Sequence, residues 1–246
     1  MNPKQLYIST VASDAAQTAR TWGLGVEIAE YCTASRMDDG FRETDAALRE
    51  TLEGIPNRIF HAPFNELFPC AIDPQARELA AYRYWQAIHL AKSYGAEKIV
   101  IHGGYIPKVY FPQWYTEQSV LFWQEFLQED PGIPIVLENV MEEAPELLTE
   151  ILRQVDHPNL RMCLDVGHGN VCSQIPVIQW LERCAPWISH FHIHNNDGAW
   201  DTHSALDQGN IPMRELLNRA EILCPEATFT LEVTQAMPSV RWLLEE

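Results

Sequence analysis

The sequence has no apolar run approaching the roughly 18 residues that a helical membrane span requires. Basic residues are scarce, 17 Lys and Arg against 34 Asp and Glu, and the resulting net charge of −17 repels polyanions. A nucleic-acid or anionic-membrane partner is therefore disfavoured. The six cysteines include no Cys-x-x-Cys pair, which excludes a thioredoxin-like or zinc-ribbon motif and leaves reduced, structural thiols as the expectation. The first twenty residues carry neither the apolar core nor the small-residue cleavage site of a secretory signal, so a cytoplasmic protein is expected. No repeat, low-complexity tract or linker breaks the chain, and residues 1–246 are read as one domain.

What is present is a regular alternation. Short apolar runs of strand length are each followed by a segment of helical period, the pattern of a parallel sheet with crossover helices. The strand candidates are LYISTV from Leu6, LGVEIAEY from Leu24, RIFHAPF from Arg58, KIVIHGG from Lys98, IPIVLENV from Ile133, LRMCLDVGH from Leu160, WISHFHIHNND from Trp187 and TFTLEV from Thr228. The best-delimited helix runs from Pro74 to Gly95, with proline in its first turn and glycine at its end. Eight such units in succession predict a (β/α)8 TIM barrel.

Strands buried on both faces should stay apolar to their ends, yet six of these turn polar at their last residues. Ile59-Phe60 leads into His61, Val100-Ile101 into His102, Leu137 into Glu138, Leu164 into Asp165, Phe191 into His192 and Leu231 into Glu232. In a barrel these positions share the C-terminal rim, where active sites are built. Three carboxylates crowded there repel one another unless a cation lies among them, so the pattern predicts a divalent metal. His168 can join Asp165 if the chain bends at Gly167, and Asp201 and His203, two residues apart, share one side of the following loop. His190 and His194 alternate onto the same inward face as His192, which is taken as the strand-seven ligand with His194 as the substitute. Glu27 faces inward on the same alternation, without an assigned role.

The motifs FHAPF, VIHGG, VLENV, CLDVGH, HFHIHNNDG, DTHSALDQGNI and LEV stand in the order of the xylose isomerase-like barrels, the superfamily of sugar isomerases and epimerases and of endonuclease IV, which this sequence resembles along nearly its whole length. The resemblance implies one metal on Glu138, Asp165, His192 and Glu232. Its endonuclease IV branch implies two more, one on His61, His102 and the shared Glu138, the other on His168, Asp201 and His203. A nitrogen and oxygen ligand set without thiolate suits zinc, manganese, iron or cobalt. One to three ions per chain are expected, and nine candidate ligands favour a multinuclear centre.

Two chemistries follow. A sugar, sugar-phosphate or polyol isomerase or epimerase would use Glu138 and Glu232 to move a proton beside a metal-polarised carbonyl. The alternative is an endonuclease IV-like phosphoesterase acting on a small substrate. Ketohexose epimerases of the superfamily carry an arginine shortly after the strand-seven histidine, whereas Asn195-Asn196-Asp197-Gly198 has none. A DNA enzyme needs cations along its phosphate track, and the loops after strands five, six and seven contain no lysine or arginine. A small carbohydrate-like molecule is the expected partner. Phe64, Tyr105, His194 and Trp200 are the candidate substrate contacts, and the aromatic segment from Tyr105 to Tyr115 is expected to wall or cover the site.

Overall fold

In a computed structural model, which describes residues 1–245, eight parallel strands close into a barrel in sequence order. The strands are β1 (Leu6–Ser9), β2 (Gly25–Ile28), β3 (Arg58–His61), β4 (Ile99–His102), β5 (Ile135–Glu138), β6 (Leu160–Asp165), β7 (Ile188–Ile193) and β8 (Thr228–Leu231). The helices around them are α1 (Ala15–Trp22), α2 (Phe41–Thr51), α3 (Pro74–Ser93), α4 (Pro112–Phe126), α5 (Glu146–Val155), α6 (Val166–Cys172), α7 (Val177–Cys184), α8 (Met213–Leu223) and α9 (Ala236–Leu244). The expected TIM barrel is thus observed.

The period of two along each strand divides the core into two layers. Outward residues such as Ile99, Ile101, Leu137 and Leu164 pack against the helices in one large apolar cluster. Inward residues Tyr7, Ile59, Val100, Val136 and Cys163 form a separate small cluster that plugs the barrel. The same inward parity, two residues further along, gives His61, His102, Glu138 and Asp165. Register then sets neighbours side by side: His102 pairs with Glu138 across β4 and β5, and Asp165 with His192 across β6 and β7.

Helix ends follow their local chemistry. Asp73 accepts a hydrogen bond from Gln75 N at the start of α3, with Pro74 in the first turn, where its missing N–H costs nothing. Asp14, in the loop after β1, accepts from Ala236 N at 2.7 Å and Met237 N at 3.0 Å, capping α9 and tying the last helix to the first βα loop.

Two expectations need correction. The bend after β6 is no glycine hinge: α6 begins there directly, with Asp165 as its N-cap accepting from His168 N at 2.7 Å. Gly167 is needed for space instead, because a Cβ at that position would stand 1.9 Å from His194 Cε1. The aromatic segment from Tyr105 is not one continuous loop, since Pro112 to Tyr115 already form the first turn of α4.

Candidate metal centre

The rim histidines are held in defined protonation states by groups that can only accept. His61 Nδ1–H donates to the Ala62 carbonyl at 2.8 Å, His168 Nδ1–H to the Asn139 carbonyl at 3.0 Å, and His203 Nδ1–H to the Glu232 carbonyl at 2.8 Å. A carbonyl oxygen has no proton to give, so Nδ1 of each ring is protonated and Nε2, which faces the rim, is the nitrogen left to bind an ion. His61 Nε2 lies 3.2 Å from Glu138 Oε2, and His102 Nε2 3.3 Å from the same oxygen. His168 Nε2 and His203 Nε2 lie 3.3 and 3.0 Å from Asp201 Oδ2.

At the floor, His192 Nδ1 lies 3.2 Å from Glu138 Oε1, 3.7 Å from Asp165 Oδ2 and 3.6 Å from Glu232 Oε2. Glu138 Oε1, Asp165 Oδ2 and His192 Nδ1 are buried and have no hydrogen-bond partner among the described residues. Buried polar atoms are normally satisfied, and a group of them converging on one point is the signature of a cation site. The donor set fits a divalent ion.

Three sets of side chains have their ligand atoms mutually within 4.8 Å and bear on the expected centre: His61, His102 and Glu138; Glu138, Asp165, His192 and Glu232; and His194, Asp201 and His203. The third differs from the expected His168, Asp201 and His203. His194, lying over Gly167, reaches between two carboxylates, with Nε2 3.2 Å from Asp165 Oδ1 and 3.6 Å from Asp201 Oδ1, and its ring stacks on His203 at 4.3 Å. His168 Nε2 also approaches this group, 3.3 Å from Asp201 Oδ2, the oxygen that His203 Nε2 approaches at 3.0 Å. His203 has φ +46°, a left-handed conformation uncommon for a non-glycine residue and frequent at functional sites.

The electrostatics follow from burial and neighbours. Burial pushes the Glu138 carboxyl up, but His192 and His102 against it hold it well below the ordinary carboxylate range. Burial raises Glu232, His192 partly offsets this, and the charges of Glu138 and Glu27 reinforce it. Burial pulls His203 down, but the hydrogen bond to Asp201 and the charges around it bring it up to about 9. A cation would relieve the excess of negative charge that these histidines now balance.

The floor is closed and the mouth open. Glu138, Asp165 and His192 are buried, whereas Asp201 and His203 each keep nearly a third of their side chain in solvent. Among the substrate candidates, Phe64 stacks on His102 with ring centroids 4.2 Å apart, bringing an apolar face to the mouth. Trp200 is 77% exposed beside Asp201. Tyr105 is placed elsewhere: it is 3% exposed and packs on Tyr115 within the apolar cluster. Glu27, without a role from the sequence, lies beneath the floor, with Oε1 3.0 Å from His192 Nε2. Only the meeting of β2 and β7 side chains across the barrel interior reveals this contact.

Comparison with known proteins gives the same picture of the fold. Residues 19–245 match the family model described as xylose isomerase-like TIM barrel. An uncharacterized protein of Methanocaldococcus jannaschii is 30% identical over 71% of this chain and 63% of its own length. The fructoselysine 3-epimerase of Shigella flexneri is 31% identical over 53% of this chain and 50% of its own. The chain thus spans half to just under two thirds of these relatives. Among solved structures, a D-tagatose 3-epimerase-like protein superposes with a TM-score of 0.80 at 24% identity, covering 98% of this chain and 96% of that one. A Thermus thermophilus protein soaked with ZnCl2 superposes with a TM-score of 0.79 at 25% identity, covering 99% and 97%. With the strand-end motifs, the closed barrel and the family match in agreement, this chain belongs to the xylose isomerase-like TIM barrel family.

Proposed function

We propose that this protein is a divalent-metal-dependent epimerase or isomerase of a sugar or polyol. The observation that carries the reading is the convergence of Glu138, Asp165, His192 and Glu232 on one point at the barrel floor, with two glutamates available, one at the end of β5 and one immediately after β8. The relatives named as sugar epimerases support the substrate class.

Glu138, Asp165, His192 and Glu232 would hold the ion, which when bound polarises a substrate carbonyl and its neighbouring hydroxyl. The protein's own part is proton transfer. One glutamate, ionised, takes the proton from the carbon beside the carbonyl. The other, protonated, returns a proton to the same carbon, or to the adjacent carbon with the hydroxyl proton crossing between the two substrate oxygens. The pair's total protonation is unchanged, and the exchanged proton resets with solvent before the next turnover. The buried floor excludes water from the deprotonated substrate, and Phe64 offers an apolar wall at the mouth. Asp201 and His203, both partly exposed, would supply, with the buried His194 beside them, a polar contact for substrate hydroxyls or a further metal position.

That third group favours a second reading, a multinuclear phosphoesterase acting on a small ester, in which clustered ions activate water and neutralise the leaving oxygen. A panel of ketoses, aldoses, polyols and phosphodiesters, assayed with Mn²⁺ and with Zn²⁺, separates the two. Interconversion of sugars without ester cleavage is the expected result. Ester cleavage without sugar interconversion would transfer the function to the second reading.

A further inference from the structure

Beneath the floor, an uninterrupted file of hydrogen bonds runs down the barrel interior from His192. It starts, at its other end, from a group that can only donate. Lys98 Nζ donates to the Ser189 carbonyl at 3.0 Å and to Thr228 Oγ1 at 2.9 Å. Thr228 has one hydroxyl proton, and its Oγ1 lies 2.6 Å from His190 Nδ1. Glu27, a carboxylate, can only accept from His190 Nε2, so the bare His190 Nδ1 accepts the Thr228 hydroxyl proton and the ring's own proton is on Nε2. His190 Nε2 faces two oxygens able to accept it, Glu27 Oε2 at 3.1 Å and Thr230 Oγ1 at 3.0 Å. Thr230 in turn donates to Glu27 Oε2 at 2.7 Å.

Two donors therefore hold one oxygen of a fully buried carboxylate. His192 Nε2 is a third, 3.2 Å from that same oxygen and 3.0 Å from Oε1, which takes no hydrogen bond from the described residues. A carboxylate so placed accepts the Nε2 proton, and the His192 lone pair is forced onto Nδ1, the atom that faces Glu138, Asp165 and Glu232. His61, His168 and His203 are set the opposite way, with Nδ1–H on a carbonyl and Nε2 facing the rim. His168 Nδ1 also comes within 3.2 Å of Glu138 Oε1, but its proton goes to the Asn139 carbonyl; among these rings His192 is the one with a buried carboxylate, Glu27, behind its other nitrogen.

We propose that Glu27 is a positioning residue of the metal centre: held by Thr230 and the His190–Thr228–Lys98 file, it fixes His192 as the Nε2–H tautomer and presents Nδ1 to the ion. The proposal rests on the reading of His192 as a ligand. A charged acceptor behind an imidazole also makes the ring a stronger donor, and removing such a partner costs metal affinity roughly 10- to 100-fold.

The test uses the full chain labelled with ¹⁵N-histidine, with Zn²⁺ as the probe. Long-range ¹H–¹⁵N spectra of the Zn²⁺-loaded protein should show His192 protonated at Nε2, with the Nδ1 resonance shifted from its metal-free position. This measurement needs no variant. Competition against a chromogenic chelator should then give a Zn²⁺ affinity reduced roughly 10- to 100-fold in Glu27→Gln. Thr230→Val, which removes one donor to Glu27 and touches no ligand, should lose roughly two- to tenfold. A His192 still protonated at Nδ1 in the Zn²⁺-loaded protein, or unchanged Zn²⁺ affinity in folded Glu27→Gln, overturns the proposal. A Zn²⁺-induced shift at Nε2 overturns it in favour of Glu27 as a direct ligand. Failure of the unmutated protein to bind Zn²⁺ is a separate outcome, which removes the metal reading and this proposal with it.

Discussion

His194 lies flat over Gly167, so close that a methyl group on residue 167 would stand 1.9 Å from the imidazole Cε1. The contact joins the first turn of α6 to the end of β7 and holds His194 between Asp165 and Asp201. Gly167→Ala should therefore push His194 aside and destabilise the protein by about 1–3 kcal/mol, the usual range for overpacking. If the His194, Asp201 and His203 group holds an ion, the variant should also bind one metal fewer than the unmutated protein. Thermal melts and metal analysis of the purified variant check both effects; native stability and native metal content together would mean that the ring has room to move.

Metal removal should be visible as lost stability. An ion that binds only the folded chain stabilises it by about 2.7 kcal/mol at a hundredfold excess over Kd. For a protein of this length each kcal/mol shifts Tm by roughly 2–4 °C. Dialysis against EDTA should lower Tm by about 5–11 °C, and Zn²⁺ or Mn²⁺, but not Na⁺, should restore it. An unchanged melt after chelation would argue that the buried carboxylates are balanced by the histidines alone.

How much of this centre was legible in the sequence depends on the range of the interaction. The barrel, and the placing of His61, His102, Glu138, Asp165, His192 and Glu232 on one rim, follow from a period of two within each strand and the apolar-to-polar change at its end. Those signals are local. The role of Glu27 is not, because its partners His190, His192 and Thr230 lie on β7 and β8, more than 160 residues away. The same limit explains Gly167, read as a hinge from φ freedom but needed for a contact with a distant ring. Tyr105 is a different case: Tyr115 is close in the chain, but the burial of one ring against the other depends on where α4 begins, which the aromatic run does not mark.

The α9 cap gives a pH dependence of known sign. Burial raises Asp14, but the backbone N–H groups of Ala236 and Met237 outweigh it and leave the carboxyl below its ordinary value. A carboxylate depressed on folding contributes stability above its unfolded pKa of about 3.9, and that contribution fades as the pH falls through the folded value. Asp14→Ala should cost about 1 kcal/mol near neutrality, the typical loss of an N-cap. The gap between variant and unmutated protein should close below about pH 4. A gap constant from about pH 7 to about pH 3 would show that packing, rather than the cap, is lost.

Thiol labelling tests the core. Burial pushes the thiols of Cys70, Cys163 and Cys184 up to about 12 and that of Cys224 up to about 11, and all four are buried. Cys32 and Cys172 are partly exposed. A thiol-specific chromogenic reagent should label at most these two in the native protein and all six after denaturation. Fast native labelling of Cys163, which sits in the barrel plug, would contradict the closed interior.

The central claim is that Glu138 and His192 hold a divalent ion at the barrel floor. The most direct measurement is calorimetric titration of the metal-free protein with Zn²⁺, alongside Glu138→Ala and His192→Ala shown by circular dichroism to be folded. Tight binding by the unmutated chain and its loss in each variant is the predicted result. Full retention of tight binding in both variants would contradict the account.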